Sequence, residues 1–423
     1  MHREDFPFFK NIDDNNAGTN ARDSKGIVYL DNAASSQMPL CVVEAMNEYY
    51  LKYKSNIHRG VYDISELASG NYDNVRKLAA VFLGVNRDDI ILTSGSTIAS
   101  NMLIYMLERY IDWQPGDIVI TSYYEHHSIL LPIIELARRK DLKIYYVDHA
   151  KDIEWGVLLA SLNSNNTSNL HSNEHKVKLV SLTMASNVTG EIFDIEKIVK
   201  SIGKYFEKDV NIGNALSPHG KRPMIISDMT AIAGHSKINL HNIGLDAAWC
   251  GAHKMCGPTG AGVLYIKRDL SRMMRPVIYG GGMVWKVEAD NASYRSDIEV
   301  FEAGTSNISG IIGMGTSIKY LESVGLENIK LRIEELHEYA IEKLSALPYL
   351  KLYTCDSEKN VGIISFSINK IHPHDIAQIL SDNGVAVRAG HHCAQMYMKY
   401  INEIALTRIS IYFYNTKTNY NFI

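Results

Sequence analysis

The sequence predicts an α/β fold, a largely parallel sheet covered on both faces, followed by a smaller α+β domain. Three observations carry this expectation. Short apolar runs suited to buried strands alternate with stretches of helical spacing through roughly the first 300 residues, the alternation that builds parallel sheets. The runs are apolar along their length, as strands hidden on both faces must be. Beyond about residue 318 a long charged helical stretch gives way to short strands around one further helix.

In order, the strand candidates are Ile27–Leu30, Ile90–Thr93, Asp117–Thr121, Lys143–Val147, Val177–Leu182 and Met224–Ser227, rich in β-branched and aromatic residues. Between them Asn71–Leu83, Asn101–Tyr110 and Ile129–Arg138 repeat apolar residues at helical spacing. A further strand, Val263–Lys267, follows a Gly/Pro-rich turn. The charged helix Gly325–Leu347 stops at Pro348, and a last helix is expected at His374–Asp382. Asn163–His175 is polar and low in complexity and reads as a surface or disordered insertion; Asp209–Lys221 reads as another loop of this kind.

At 423 residues the chain suits two domains sharing a cleft and buries enough core to need no disulfide or structural metal. Lys+Arg 43 against Asp+Glu 47 gives a net charge of −4, with no block of like charges, which argues against a nucleic-acid partner. The five cysteines, Cys41, Cys250, Cys256, Cys355 and Cys393, are odd in number and scattered without C-x-x-C spacing. Zinc and secreted disulfides are therefore disfavoured and a reducing compartment fits better. Met1–Lys10 lacks the apolar centre of a signal peptide, and no run approaches the ~20 apolar residues that span a bilayer. The expectation is a soluble protein without membrane contact, cytoplasmic or, where a targeting segment has been removed, in an organelle such as a plastid.

In open α/β sheets ligands sit beyond the carboxyl ends of the strands, so the polar residues there matter most. Lys254 lies in His253-Lys254-Met255-Cys256-Gly257-Pro258-Thr259-Gly260-Ala261-Gly262, a lysine before a turn shaped for close approach. Taken alone, this is also how a surface lysine before a hairpin looks. Asp228, just after the strand Met224–Ser227, adds a carboxylate. A lysine amine and a carboxylate are what a pyridoxal cofactor needs, one for its aldehyde and one to keep its ring nitrogen protonated. An aspartate after a strand also serves as a turn cap.

Thr93-Ser94-Gly95-Ser96-Thr97 places hydroxyls and free N–H groups at a helix start, which suits a phosphate and equally suits an ordinary N-cap. In Glu125-His126-His127 an imidazole is available to stack on a cofactor ring or to play a structural part. In Arg388-Ala389-Gly390-His391-His392-Cys393 the arginine and histidines favour a thiolate; adjacent histidines lack usual zinc spacing, so no metal site is expected. Cys41, Cys250 and Cys355 stand among apolar residues and read as core positions, and Cys256 has no cationic neighbours to activate it.

Taken together these segments resemble the cysteine desulfurases of the class V aminotransferase family, specifically the SUF-system type. The likeness runs from Asp31-Asn32-Ala33-Ala34 through His58-Arg59-Gly60, Glu125-His126-His127, Ser186-Asn187-Val188-Thr189-Gly190 and His253-Lys254. It continues to Phe301-Glu302-Ala303-Gly304-Thr305, Arg388–Cys393 and Tyr414-Asn415-Thr416. The resemblance implies a fold type I pyridoxal-phosphate transferase with a mostly parallel seven-stranded sheet in residues 18–318. Residues 1–17 with 319–423 would form the small domain that carries the active cysteine.

By the same resemblance Lys254 is the Schiff-base lysine, Asp228 the partner of the pyridine nitrogen and His126 the ring-stacking histidine. Ser96, Thr97 and His253 belong to the phosphate site, and Thr305 reaches the phosphate across the boundary of a homodimer. Asn187 and Arg408, with Arg388 and His58, serve the substrate, and Cys393 receives the persulfide. The implied activity converts L-cysteine to L-alanine and hands sulfur to an acceptor protein of the SUF type for iron–sulfur cluster assembly. Selenocysteine lyase action, another class V lyase reaction, or a catalytically impaired paralogue that binds partners are the alternatives.

Three departures stand out. The family has glutamine three residues after the aspartate, where this chain has Ala231, and serine or threonine three before the lysine, where it has Gly251. Each loss removes about one hydrogen bond, on the order of 1–3 kcal/mol where the partner stays buried and unpaired. The family also continues into a final helix after Tyr-Asn-Thr, whereas this sequence ends at Ile423, and a weaker small domain is expected.

Overall fold

The computed structural model describes residues 2–14, 27–164, 176–207 and 222–417. The expected loop Asp209–Lys221, all but the first residues of the loop Asn163–His175, the division between residues 17 and 18, and the last six residues lie outside the described residues. Among those described, the strands in chain order are β1 (Val28–Tyr29), β2 (Ile90–Thr93), β3 (Ile118–Ser122), β4 (Lys143–Val147), β5 (Val177–Ser181), β6 (Met224–Asp228), β7 (Ala247–Gly251) and β8 (Gly262–Ile266). They are followed by β9 (Val284–Val287), β10 (Ala292–Tyr294), β11 (Leu350–Tyr353), β12 (Ile363–Ile368), β13 (Val385–Ala386), β14 (Arg388–Gly390) and β15 (Leu406–Ser410).

A seven-stranded sheet in the order β2-β8-β7-β6-β5-β3-β4 forms the centre. All its strands are parallel except β8, which runs against both neighbours. Side chains alternate between faces along each strand, so two separate cores form. Ile91, Val119, Ile226, Trp249 and Leu264 face one, with the helices Ser96–Tyr110 and His127–Lys140 laid over them. Leu92, Ile120, Ile225, Ala248 and Val263 face the other, packed under the helices Asp63–Leu83 and Ile308–Val324.

The second sheet, β11-β12-β15-β14, is antiparallel throughout. Ile364, Phe366 and Ile409 on one of its faces pack with Leu336 and Ala340 of the helix Leu326–Ser345 and Ile376 of the helix Pro373–Asp382. The expected boundary after residue 318 falls inside the helix Ile308–Val324, which passes from the large sheet toward the small one unbroken. At the other end of the chain Phe6 packs on Tyr414 and Tyr320, with ring centroids 4.5 and 5.9 Å apart. No helix among the described residues is long and apolar enough to cross a membrane.

Two sequence expectations change. The helix expected from Asn71 begins at Asp63, because its first turns present Ile64 and Leu67 outward, 45% and 51% exposed, and so show no apolar stripe. Cys41 and Cys355 are not core residues. Cys41 is exposed because the helix Leu40–Lys52 turns the neighbouring Val42 inward instead. Cys355 is half-buried between β11 and β12, its thiol aimed at the Lys359 carbonyl 3.3 Å away. Cys250 is buried as expected.

Candidate active site

Because β2, β3, β5, β6 and β7 are parallel, their carboxyl ends meet along one edge of the sheet. A cavity of about 240 Å3 lies there. Segments distant in sequence bring Lys254, Asp228, His126, Asn187, Arg408 and Cys393 to its wall. Ser96, Thr97, His253 and Arg388 join them.

Asp228 ends β6 and is buried, with one carboxylate oxygen accepting the Thr230 N–H at 2.8 Å. Burial pushes its carboxyl above the usual range, while the Thr230 donors and Lys254 pull the other way. Lys254 follows β7 on a single 3-10 turn. Burial lowers its amine from the usual 10.5 to about 8; the Arg408 guanidinium adds to this and Asp228 opposes it. Such a lysine holds a useful fraction of uncharged, nucleophilic amine near neutral pH.

Arg408 stands on β15 of the second sheet, buried, and burial draws it down to about 10. It donates to the Asn187 carbonyl (2.8 Å) and to Asp31 (3.2 Å), while its Nε has no protein partner. A cation fixed this way and left with a free donor suits a carboxylate ligand.

His126 caps the helix His127–Lys140: its Nδ1 accepts the Ser128 N–H at 3.1 Å. That leaves the proton on Nε2, and burial with Lys254 nearby lowers the imidazole to about 3, so His126 is neutral. Beside it Glu125 is fully buried and accepts from Ser122 (2.8 Å) and the Thr183 N–H (2.8 Å); burial raises it to about 8. The helix Ser96–Tyr110 has Gly95 as its N-cap with no side chain bonded to its first N–H groups, which leaves those donors available at the cavity.

Two of the three departures from the family pattern border this site. Ala231 lines the cavity with a methyl group. A Cβ on Gly251 would stand 3.4 Å from both the Ser96 nitrogen and hydroxyl, so a hydroxyl there would meet the cradle; here Ser96 provides the hydroxyl. Gly262 lets β8 close on the same turn, since a Cβ would come within 2.7 Å of the Gly95 Cα and the Cys250 carbonyl.

Cys393 reaches the cavity on a strained turn. His392 and Cys393 are consecutive non-glycine residues in the left-handed region, φ 52 and φ 56, each costing roughly 1–2 kcal/mol. The Asn187 amide donates to the His392 carbonyl (2.6 Å) and the His127 N–H to the Cys393 carbonyl (2.8 Å). The sequence expectation that both histidines charge the thiol needs correction for His392. Its Nε2–H is committed to the Leu406 carbonyl (3.0 Å), and burial beside Arg408 holds it neutral at about 3. Arg388 and Arg408 are the arginines at this wall.

His58 and Thr305 are not brought to Lys254. They line a second cavity, about 340 Å3, with Arg59, Trp285 and Arg295. There His58 pairs with Asp73 at 3.0 Å, and that hydrogen bond raises its imidazole above the usual value. Sequence reasoning missed Thr230 and Thr183, which line the Lys254 cavity, and the role of Asp31 in fixing Arg408. Their signal was position alone: Thr230 and Thr183 each sit two residues past the end of a central strand. Among the described residues no cluster of three metal-ligating side chains occurs.

The donor set fits pyridoxal phosphate. A lysine amine lowered to about 8, a buried carboxylate, a neutral imidazole and free helix N–H groups surround one space, and the Arg408 Nε lacks a protein partner. With the doubly covered sheet, this defines a pyridoxal-phosphate enzyme of fold type I. The chain belongs to the aminotransferase class-V family, whose model matches residues 28–421.

Among its relatives is a probable cysteine desulfurase of Halalkalibacterium halodurans, 35% identical over 392 residues, covering 92% of this chain and 90% of that one. One from Staphylococcus epidermidis is 34% identical over 397 residues, covering 93% and 89%. Among solved structures the fold matches the cysteine desulfurase of Thermococcus onnurineus, with TM-score 0.83 and 31% identity over 99% of this chain and 94% of that one. It also matches the Escherichia coli cysteine desulfurase CsdA, with TM-score 0.82 and 25% identity over 99% and 95%.

Proposed function

We propose that this chain is a cysteine desulfurase that takes the sulfur of L-cysteine onto Cys393 and releases L-alanine. The carrying observation is that Cys393, from the small-sheet side, lines the same cavity as Lys254 and Asp228 from the large sheet. Relatives named for this activity, alike over nine-tenths of the chain, support the reading.

The cofactor, when bound, supplies an aldehyde for an amine and a ring that withdraws electrons from the substrate Cα. The protein's own residues do the rest. Lys254 would hold the cofactor through its amine and serves as the base for the substrate α-proton. Asp228 would hold the proton of the ring nitrogen. Arg408 and Asn187 hold the substrate carboxylate with charge-assisted hydrogen bonds. The Cys393 thiolate attacks the substrate sulfur; the Cβ–S bond breaks, sulfur stays on Cys393 as a persulfide, and Cβ gains a proton. Cysteine and a thiol thus become alanine and a persulfide, with no outside oxidant. An acceptor protein of the SUF type then removes the sulfur for iron–sulfur cluster assembly.

Thr305 stands in a cavity apart from Lys254, as the resemblance implies for a residue that serves the partner's phosphate, and this supports a homodimer as the working form. The test is incubation of the protein with pyridoxal phosphate and cysteine, measuring sulfide and alanine for wild type and Cys393→Ala. Alanine and sulfide from wild type alone support the proposal. Equal sulfide from both removes Cys393 from the reaction. None from either, with no cofactor trapped by borohydride, points to an impaired paralogue.

A further inference from the structure

We propose that His127 is a positioning residue for the sulfur-carrying turn: neutral, it grips the backbone from Cys393 to Gln395 and thereby sets the rate of sulfur transfer. The inference rests on Cys393 being the sulfur carrier. His127 neighbours His126, which lines the Lys254 cavity, but itself does not line it. Its two hydrogen bonds go elsewhere. Its backbone N–H donates to the Cys393 carbonyl at 2.8 Å, and its Nε2 accepts the Gln395 N–H at 3.2 Å.

An accepting Nε2 places the ring proton on Nδ1 and leaves the imidazole uncharged. Burial, with His391 nearby, favours that form. One residue at the start of the helix His127–Lys140 therefore closes a small ring with the segment from Cys393 to Gln395.

The turn needs such a clamp. His392 and Cys393 are both left-handed without being glycine, and this conformation persists only where the surroundings over-determine it. His392 is anchored twice, by the Asn187 amide at 2.6 Å and through its own ring to Leu406 at 3.0 Å. For the next three residues the backbone anchors to the large domain are those on His127. A thiol that must meet a substrate sulfur in line gains more from a fixed backbone than from proximity alone.

The experiment uses the full-length, cofactor-loaded protein with His127→Leu, His127→Asn and His127→Gln. Glutamine reaches the point held by Nε2 with an accepting oxygen, whereas asparagine is too short and leucine has no acceptor. Single-turnover persulfide formation on Cys393, followed by mass spectrometry, should fall about tenfold in the leucine and asparagine variants. It should recover to within about twofold of wild type in the glutamine variant. The cofactor spectrum and KM for cysteine should not move, and alkylation of resting Cys393 by iodoacetamide should accelerate in the leucine variant and not in the glutamine one.

Equal rates in the leucine and glutamine variants overturn the proposal. So does loss of cofactor absorbance in step with the rate, which would place His127 on the cofactor side. If Cys393→Ala instead makes sulfide like wild type, the sulfur-carrier reading fails; the alkylation rates still report whether His127 holds the turn.

Discussion

Replacing Arg408 with glutamine should move the pH at which Lys254 becomes a nucleophile. In the wild-type cavity burial brings the amine from 10.5 to about 8, with Arg408 the next largest cause and Asp228 acting against both. At pH 7 a group with that value is uncharged about one time in ten, against about one in 3000 for an ordinary lysine. The cavity therefore supplies roughly 300-fold more free amine.

Arg408→Gln keeps the burial and removes the cation, so the amine rises part of the way back. A rise of about one unit, modest for the removal of a neighbouring charge, cuts the free amine at pH 7 roughly tenfold. The assay is rapid mixing of apoprotein with pyridoxal phosphate across pH 6 to 10.5 (roughly the window the two values span), following absorbance of the lysine-bound cofactor, with Lys254→Ala as blank. Only the deprotonated amine reacts, so the rate climbs with pH and levels off above the amine's own value. The wild-type midpoint should fall near 8 and that of Arg408→Gln above it. A wild-type midpoint near 10.5, or identical midpoints, would show that burial and Arg408 do not tune this lysine.

Three further outcomes are expected. Glu302 accepts both guanidinium nitrogens of Arg76, at 2.5 and 2.9 Å, with side chains 0% and 6% exposed; Glu302→Ala should cost about 3–5 kcal/mol in denaturant unfolding. A loss under about 1 kcal/mol would show that this pair behaves like a surface one. Thr230→Val removes a cavity-lining hydroxyl beside Asp228 at constant shape, so pyridoxal phosphate should bind about fivefold more weakly. Unchanged affinity in equilibrium dialysis would remove that hydroxyl from the cofactor's surroundings. Gly262→Ala forces a methyl to within 2.7 Å of backbone at Gly95 and Cys250; a loss of about 1–3 kcal/mol and weaker cofactor binding should follow. Wild-type stability by calorimetry would refute so tight an approach.

The large sheet was legible because each strand is an apolar run and each neighbouring helix an apolar stripe, patterns written within one element. The ends of those strands then pointed to Asp228, Lys254, Ser96 and His126, and the cavity gathers all four. The motif Phe301-Glu302-Ala303-Gly304-Thr305 was recognisable, yet only the fold divides its labour: Glu302 locks Arg76 inside the core while Thr305 faces the second cavity.

The sequence by itself determined the fold class through residue type and local period, and the resemblance carried by its motifs singled out the lysine, the carboxylate and the cysteine. Tertiary structure alone decided ionisation and partnership. It made His126 and His392 neutral, lowered Lys254, set Asp31 against Arg408 and left His58 in another cavity. Charge state depends on which groups stand within a few ångströms and how much water is excluded, and those neighbours come from strands hundreds of residues apart.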